Sequence, residues 1–354
     1  MVLAPEIDTP TMIEHAAERV ARVPRSGPGV EPVLVAVLYL PGPARSVADG
    51  ERALSPTAAG AVLAGGDPRR QARAVDSSHG YFAVDGRGFT PNRMAASQWS
   101  ADQVVGPALC GLLARALDNE HATDGFVPVR LTVDLFKPAR MHELSVSTTR
   151  VRNGKRIRLA DAVVTQDGEP AARASVVFLQ PSEQPPGEIW TRDRQPVPPS
   201  LEVAPPSDLP TAPLWHSDDS AHWSRVPSEH ENGSRKRSWQ HPVNVVDGER
   251  PSPFVVAAMA AEQTSMVTNW SSAGVGFINT DLTLALVRMP EGADIGLEAD
   301  NHLSRDGIAA GTATLFDRHG AFGSAMITAV SNAARQITAS HLDGVIASAS
   351  GARR

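Results

Sequence analysis

The chain has 354 residues, more than the ~100–150 residues of a typical single domain. Its composition, with 42% hydrophobic and 20% charged residues, is typical of a globular protein. Its 33 Lys and Arg against 39 Asp and Glu give a net charge of -6, which excludes the basic excess that nucleic-acid binding requires. The single cysteine, Cys110, excludes an intrachain disulfide and a cysteine-based zinc cluster. It is typical of a small core residue in a reducing compartment.

The first part of the chain, residues 1–75, is rich in Ala, Gly, Pro and Arg and is interpreted as a poorly ordered N-terminal extension. Its longest apolar run, residues 33–40, is much shorter than the about 20 residues of a membrane span. No basic segment with a small-residue cleavage site precedes this run. The sequence therefore predicts no membrane partner and no signal peptide, and a cytoplasmic location is expected.

Prolines divide the remainder of the chain. Ten of the 29 prolines lie between Pro181 and Pro213, and a residue without an N–H and with a fixed φ is unsuited to a regular helix or a central strand. We therefore predict a linker over residues 181–213. It separates a first domain over residues 76–180 from a second over 214–333, and residues 334–354 form a C-terminal tail.

The two predicted domains repeat one pattern. Each has a helix that starts near a proline, Pro107 or Pro253. A strand of similar sequence follows, LTVDLFK at 131–137 or LTLALVR at 282–288. Four pairs of corresponding positions, one member in each domain, are separated by 146, 151, 153 and 152 residues. Because four landmarks stay in register, the sequence predicts a duplicated unit.

Local signals mark the ends of the repeated elements. Gly106 and Ser252 are the predicted N-caps, each followed by proline at the first helical position. Strands then alternate with two-residue turns whose residue types accept the positive φ of a type I′ hairpin. The predicted turns are Asn153-Gly154, Asp167-Gly168, Asp306-Gly307 and His319-Gly320.

A lead-in strand, one helix and a long antiparallel meander are the elements of a hotdog unit, in which a curled sheet surrounds a single buried helix. The second helix suits such burial, because it carries small apolar side chains nearly all round in VVAAMAA at 255–261. The predicted fold class is α+β, a double hotdog of two tandem units. The alternative is an unrelated pair of α+β domains.

The segment FVPVRLTVDLFKPARMHELSVSTTRVRNGKRIRLADAVVTQDGEPAARASVVFLQ and the later GFINTDLTLALVRMPEGADIGLEA and GTATLFDRHGAFGS resemble the thioesterase-like, double-hotdog proteins related to bacterial acyl-CoA thioesterase II. The resemblance covers about residues 79–333. It implies hydrolysis of a fatty acyl-CoA to free acid and CoA, with no covalent nucleophile, metal or organic cofactor. In that family an aspartate activates water with the help of a threonine or serine and a glutamine.

Carried onto this sequence, the resemblance places the aspartate at Asp281 in FINTDLT, the threonine near His302 and the glutamine at Ile327 or Thr328. The hydroxyl of Thr328 can hold a water, although it lacks the donors of an amide. His302 is either a general base near neutral pH or an exposed strand histidine. The equivalent of Asp281 in the first repeat is Arg130, so the second repeat alone is expected to keep the site.

The substrate-binding candidates are two helix N-termini and two basic residues. Backbone N–H groups near Gly106 or Ser252 are the candidate oxyanion donors. Arg235 and Arg237 are candidates for the phosphates of CoA, or form a solvated strand end. A group of histidines is interpreted as part of a polar loop rather than a metal site; its members are His216, His222, His230 and His241.

Other enzyme classes lack their motifs. The sequence has no G-x-S-x-G elbow, no nucleotide-binding glycine motif, and no aspartate five residues before a histidine as in hotdog hydratases. The leading hypothesis is an acyl-CoA thioesterase. The alternative is a non-catalytic acyl-CoA or acyl-carrier thioester binding protein with a degenerate site, because the glutamine is missing. A homo-oligomer is expected, since a curled sheet leaves an edge that a partner subunit can cover.

Overall fold

The computed structural model describes residues 80–86, 88–207, 210–219 and 222–343, so the predicted extension over 1–75 lies outside the described residues. The helices are α1 (Gly106–His121), α2 (Pro253–Glu262) and α3 (Thr264–Asn269). The strands before the linker are β1 (Gly80–Asp85), β2 (Gly88–Pro91), β3 (Val127–Leu135), β4 (Ser145–Asn153), β5 (Ile157–Gln166) and β6 (Glu169–Leu179). Those after it are β7 (Thr211–Ser217), β8 (Lys236–His241), β9 (Asn244–Val246), β10 (Trp270–Ser271), β11 (Gly274–Val275), β12 (Phe277–Asn279), β13 (Asp281–Leu286), β14 (Ile295–Arg305), β15 (Ile308–Asp317) and β16 (Gly320–Ser331).

One large antiparallel sheet runs through both repeats in the order β4-β5-β6-β3-β13-β16-β15-β14-β8-β7, with β12 beside β16. Its centre is the pair β3 and β13, where Thr132 lies opposite Thr283. These two threonines are 151 residues apart, which is one of the repeat spacings. The strand order and this pairing therefore relate the two halves by an approximate two-fold axis between β3 and β13.

The helices α1 and α2 pack against each other and against the inner face of the sheet. Small side chains permit this close approach: a Cβ at Gly111 would lie 2.7 Å from the Cγ of Met259. On the sheet side, Leu282 and Leu284 are fully buried. Burial of apolar surface at ~25 cal/mol per Å² makes this shared core the main stabilising contribution.

Both predicted helix starts can be compared with the structure. Ser252 is the N-cap of α2, and its hydroxyl accepts the N–H of Val255 at 3.3 Å. The cap of α1 is Val105 rather than Gly106, because the N–H of Val105 is bound to the carbonyl of Ala95 and holds this residue extended. Gly106 is thus the first helical residue of α1.

The second repeat does not keep a single uninterrupted helix. Its helical segment breaks at Gln263, which caps both α2 and α3. After α3, the short hairpin of β10 and β11 leads into β12.

Two of the predicted hairpin turns form as expected. Asp167 and Gly168 have φ values of 54° and 78°, and Asp306 and Gly307 have 52° and 77°. Positive φ at both central positions is the signature of a type I′ turn. These turns set the register between β5 and β6 and between β14 and β15.

The other two turn predictions are wrong in detail. Three residues separate β4 from β5, and the N–H of Gly154 bonds to the carbonyl of Ile157 at 3.0 Å, so Asn153 and Gly154 are not a two-residue turn. Gly320, with φ 109°, is the first residue of β16 rather than the second residue of the loop. A glycine in this conformation after a short loop is typical of a bulge that ends a hairpin.

The lead-in strands of the two repeats differ. The hairpin of β1 and β2 forms a small sheet with β9, in which Gly80 and Phe82 of β1 pair in parallel with Asn244 and Val246. In the second repeat β7 and β8 extend the large sheet beyond β14. Between β6 and β7 the described residues form no helix or strand. None of the helices in the described ranges is both long and apolar enough to cross a membrane.

Candidate active site

A cavity of about 590 Å³ opens at the start of α1. Gly106, Asn279 and Thr280 contribute to its wall, so elements of both repeats meet there. The apolar part of the lining includes Trp99, Leu109, Trp215, Met266, Phe277 and Ile278. A mostly apolar cavity with a few convergent polar groups is typical of a site for a small molecule with an apolar portion.

The carboxyl group of Glu262 lies in this cavity, at the C-terminal end of α2. The residue is only 8% exposed, and its Oε1 accepts a hydrogen bond of 3.2 Å from the amide of Asn279. Burial raises the pKa of Glu262 to about 7. A group that titrates near neutral pH inside a cavity is a candidate for proton chemistry.

Glu262 also lies directly against the N-terminus of α1. A Cβ added at Gly106 would overlap its Oε1. Among the described residues the N–H of Gly106 makes no hydrogen bond, and the next residue is Pro107, which has no N–H. The cavity therefore contains an open backbone donor at the positive end of a helix, beside a buried carboxyl group.

Sequence reasoning did not identify Glu262. The available signal was that it is the single charged residue in PFVVAAMAAE, a helix whose other side chains are apolar. A carboxylate is rarely buried unless it is paired or functional.

The predicted pair of Asp281 and Thr328 does come together. Oδ1 of Asp281 accepts the N–H of Thr328 at 3.0 Å, and Oδ2 accepts the Thr328 hydroxyl. The hydroxyl of Thr280, a cavity residue, lies 2.9 Å from that of Thr328 and 3.2 Å from Oδ2 of Asp281. Asp281 is thus connected to the rim of the cavity by the hydrogen bond from Thr280.

An irregularity in the sheet explains why Asp281 takes this position. Asn279 lies opposite Ala329, whereas Thr283 lies opposite Met326, so four steps along one strand match three along the other. Such a bulge interrupts the ladder and redirects side chains. The carboxylate of Asp281 accepts the Thr328 N–H at this interruption, and Asn279 turns toward Glu262 instead of outward.

The N-terminus of α2, the other predicted oxyanion donor, is occupied by the side chains of Ser252 and Asp118. The hydroxyl of Ser252 donates to Asp118 at 2.5 Å while it caps the helix. The adjoining cavity has a volume of about 150 Å³ and contains an ion pair of 2.6 Å between Arg115 and Glu249. Of the two predicted helix N-termini, only that at Gly106 borders the larger cavity.

His302 is not brought to Asp281. It is exposed on β14, which β15 and β16 separate from β13. Its ring lies 5.9 Å from that of Phe277, a residue of the cavity wall.

Arg235 and Arg237 lie in a network of ion pairs. Nε of Arg235 is 2.9 Å from Oδ2 of Asp218, and Nε of Arg237 is 2.6 Å from Oε2 of the buried Glu298. Neither arginine belongs to the described cavity lining. The basic residue that does is Lys137, which is exposed.

Two further residues considered in the sequence analysis, His230 and Cys110, are buried in the protein interior. His230 is fully buried, its Nδ1 lies 3.0 Å from the hydroxyl of Ser217, and burial lowers its pKa to about 4. Cys110 is also buried, and burial followed by the charge of Glu262 raises the pKa of its thiol. Within the part of the chain that the structure describes, no group of three or more His, Cys, Asp or Glu residues has the arrangement of a metal site.

Family models match the chain over both repeats. The acyl-CoA thioesterase N-terminal domain matches residues 95–179, and the acyl-CoA thioesterase C-terminal domain matches residues 182–326. The chain belongs to the acyl-CoA thioesterase family. The resemblance to thioesterase-like double-hotdog proteins, drawn from the sequence, is thereby confirmed, and membership in the family implies a thioester substrate.

Solved structures share the fold of this chain. The TesB protein of Mycobacterium avium subspecies paratuberculosis has 16% identity and a TM-score of 0.51, over 71% of this chain and 95% of that one. A candidate thioesterase II from Thermobifida fusca has 16% identity and a TM-score of 0.53, over 72% and 96%. A hotdog-fold protein of unknown function from Alicyclobacillus acidocaldarius has 15% identity and a TM-score of 0.51, over 73% and 97%. No curated protein matches the chain significantly.

Proposed function

We propose that this acyl-CoA thioesterase family member hydrolyses an acyl-CoA thioester to a free acid and CoA at the cavity beside Gly106. The observation that carries the proposal is the convergence in one cavity of an open helix N-terminus from the first repeat with polar residues from the second, Asn279 and Thr280. Hydrolysis of a thioester is accelerated by a preorganised donor for the carbonyl oxygen and by a positioned base for the water. The cavity and its rim offer both.

In the proposed reaction Asp281 activates the water. Its carboxylate takes a proton from the water while the water oxygen bonds to the thioester carbonyl carbon, and the carbonyl oxygen becomes an oxyanion beside Gly106. The intermediate then breaks its C–S bond, and the CoA thiolate takes the proton from Asp281. Thr328 holds Asp281 through two hydrogen bonds, so the carboxylate is fixed before the substrate arrives.

The lining suggests how the two parts of the substrate bind. Apolar side chains such as Leu109, Met266 and Phe277 suit an acyl chain. Lys137 is the basic residue of the described lining and forms no ion pair among the described residues, so we assign it to a phosphate of CoA. Arg235 and Arg237 already face carboxylates, which weakens the case for them as phosphate ligands.

A panel of acyl-CoA substrates from short to long chains tests the function. Released thiol is measured colorimetrically, and saturable turnover with at least one chain length is expected. If no chain length releases CoA, the proposed activity is wrong. Saturable calorimetric binding in the absence of turnover would then support the degenerate binding protein.

We also propose self-association. The strand β4 is the edge of the large sheet on the side of the first repeat, and most of its residues are exposed. An exposed edge strand presents unpaired backbone groups that a second copy can cover. Sedimentation velocity is expected to find a dimer or larger species, and a monomer at all concentrations would contradict this.

A further inference from the structure

The chain that follows the last strand of the second repeat forms part of the wall of the larger cavity. We call residues 332–343, the described part of the chain after β16, the C-terminal segment. Ile337 and Leu342 of this segment both line the cavity. They are only 5% and 9% exposed, and they belong to the same cluster of buried apolar residues as the two repeats. The core of the protein therefore extends beyond β16.

Backbone contacts hold the C-terminal segment in place. Ile337 and Val275 form an antiparallel bridge with two N–H to carbonyl distances of 2.8 and 3.0 Å. The approach is close, since a Cβ at Gly274, whose φ is 96°, would lie 2.5 Å from the carbonyl oxygen of Ile337. The N–H of Ala339 donates to Oε1 of Glu231 at 2.9 Å. The segment is thus fixed against β11 and against the loop before β8.

The part of the cavity beside this bridge is apolar. Trp270 lies opposite Val275 in the hairpin of β10 and β11. The ring of Trp270 is 5.1 Å from that of Trp215 and perpendicular to it. Because Trp215, Val275 and Ile337 all line the cavity, this end of it offers hydrocarbon surface to a ligand.

The polar end of the cavity lies further along the same stretch of chain. Thr280, which bonds to Asp281, comes five residues after Val275. Extended chain of that length spans up to about 17 Å. All three residues of the intervening strand β12 line the cavity. The cavity therefore follows β12 from the polar groups beside Gly106 to the apolar side chains beside Ile337.

We propose that Ile337 and Leu342 determine the length of the acyl chain that the cavity accepts. This inference rests on the proposed function, which places the thioester beside Gly106. An acyl chain that then follows β12 meets Ile337 and Leu342 with its distal end. A chain that ends before them buries its methylene groups in apolar surroundings, whereas a longer chain has to displace a buried and hydrogen-bonded segment.

The binding of S-alkyl-CoA thioethers tests the proposal, because these ligands have no carbonyl group and are not hydrolysed. Each methylene group that becomes buried is expected to raise the affinity about fourfold. In the wild type this increase should continue up to a limiting chain length and reverse beyond it. Isothermal titration calorimetry over a series from S-butyl-CoA to S-hexadecyl-CoA measures the limit.

Substitutions at Leu342 are expected to move the limit in opposite directions. Leu342→Ala opens the apolar end, so each added methylene just beyond the wild-type limit should increase the affinity about fourfold instead of lowering it. Leu342→Phe fills the same space and should move the limit to shorter chains. Ile337→Val removes one methyl group while it keeps the branched side chain of the bridge, and a small shift to longer chains is expected.

Leu286→Ala is the matched control. Leu286 of β13 is a leucine of similar burial, 4% exposed, and it is not among the residues that line the described cavity. Its variant should keep the wild-type limit. Circular dichroism establishes that each variant is folded. If Leu342→Ala does not fold, Leu342→Phe and Ile337→Val decide the test.

Three results would overturn the proposal. The first is a limiting length that stays at the wild-type value in the folded variants of Leu342 and Ile337. The second is an equal shift in Leu286→Ala, and the third is a wild type that binds none of the thioethers.

Turnover separates this inference from the proposed function. If the thioethers show the expected shifts and no acyl-CoA is hydrolysed, the hydrolysis is wrong and the role of Ile337 and Leu342 in chain length stands. If acyl-CoA is hydrolysed while the variants keep the wild-type dependence of kcat/KM on chain length, the hydrolysis stands and the role of the two residues is wrong.

Discussion

Ser252 donates a hydrogen bond of 2.5 Å to Asp118, and this contact occupies the helix N-terminus of the second repeat. The corresponding N-terminus in the first repeat, at Gly106, borders a cavity of about 590 Å³. Gene duplication supplies two such places by symmetry. This difference supports our proposal of one ligand site shared by the paired units, with the backbone donor from the first repeat and the carboxyl groups from the second.

Asp281→Asn is expected to reduce kcat by at least ~10²-fold, because the amide cannot take a proton from water. The variant should fold, since its side-chain oxygen can still accept the N–H of Thr328. Steady-state release of CoA measures the effect. Asp134→Asn is the matched control: this residue lies opposite Asp281 and pairs on the surface with Arg173. Equal rates for the two variants would contradict the role of Asp281.

Thr328→Val is expected to lower kcat ~10-fold with little change in KM, because it removes the hydroxyl that holds Asp281 and keeps the shape of the side chain. Thr328→Ser retains the hydroxyl and should remain within a few-fold of the wild type. A Val variant as active as the Ser variant would mean that the hydroxyl does not position Asp281.

Gly106→Ala is expected to destabilise the protein by ~1–3 kcal/mol and to abolish most activity, because the new Cβ overlaps the carboxyl group of Glu262. Urea denaturation and thiol release measure the two effects. Gly233→Ala is the control, since nothing lies within 4 Å of its Cβ position and its φ is not positive. Unchanged stability and activity in the Gly106 variant would show that the two groups do not touch.

The contribution of Glu262 to the free energy of unfolding should fall as the pH rises from about 4.5 to 7. Burial raises the pKa of Glu262 from 4.5 to about 7, so in this window its carboxyl group binds more protons in the folded protein than in the unfolded chain. The full effect is ~3 kcal/mol at pH 8. His230, whose pKa burial lowers from 6.5 to about 4, contributes in the opposite direction, so the effect of Glu262 is read from its variant rather than from the wild type alone.

Glu262→Gln removes this dependence and is expected to be more stable than the wild type at pH 8, with a smaller difference at pH 5. Urea midpoints at the two values measure it, with the exposed Glu183→Gln as the control. An identical pH dependence in wild type and Glu262→Gln would refute the buried, proton-binding state.

Lys137→Ala is expected to raise KM for acyl-CoA several-fold and to leave KM unchanged for an acyl N-acetylcysteamine thioester, which lacks the phosphates. The reason is that Lys137 is the basic residue of the described lining. Added salt should reproduce the effect in the wild type, since it screens an exposed charge. The double variant Arg235→Ala/Arg237→Ala serves as a comparison, and a larger rise in KM for it would return the phosphate site to those arginines.

The sequence predicted the architecture because each repeat carries its own local signals. The prolines at 107 and 253 and the matched strands LTVDLFK and LTLALVR specify the order of elements, and the Asp-Gly pairs at 167 and 306 specify their turns. At Asn153 and Gly154 the prediction was wrong although the residue pair favours a tight turn, since such a pair does not fix the length of a loop.

The candidate site divides in the same way. Asp281 and Thr328 were identified from sequence alone, through the resemblance of their segments, and they lie on paired strands within one repeat. Glu262 was missed because its meaning depends on a contact with Gly106, in the other repeat. A sequence determines which residues face the core of a unit, since periodicity is local. The packing of α1 against α2 decided which carboxyl group meets which helix end, and therefore where the cavity opens. Sequence periodicity does not predict this packing, because it joins residues that are distant in the chain.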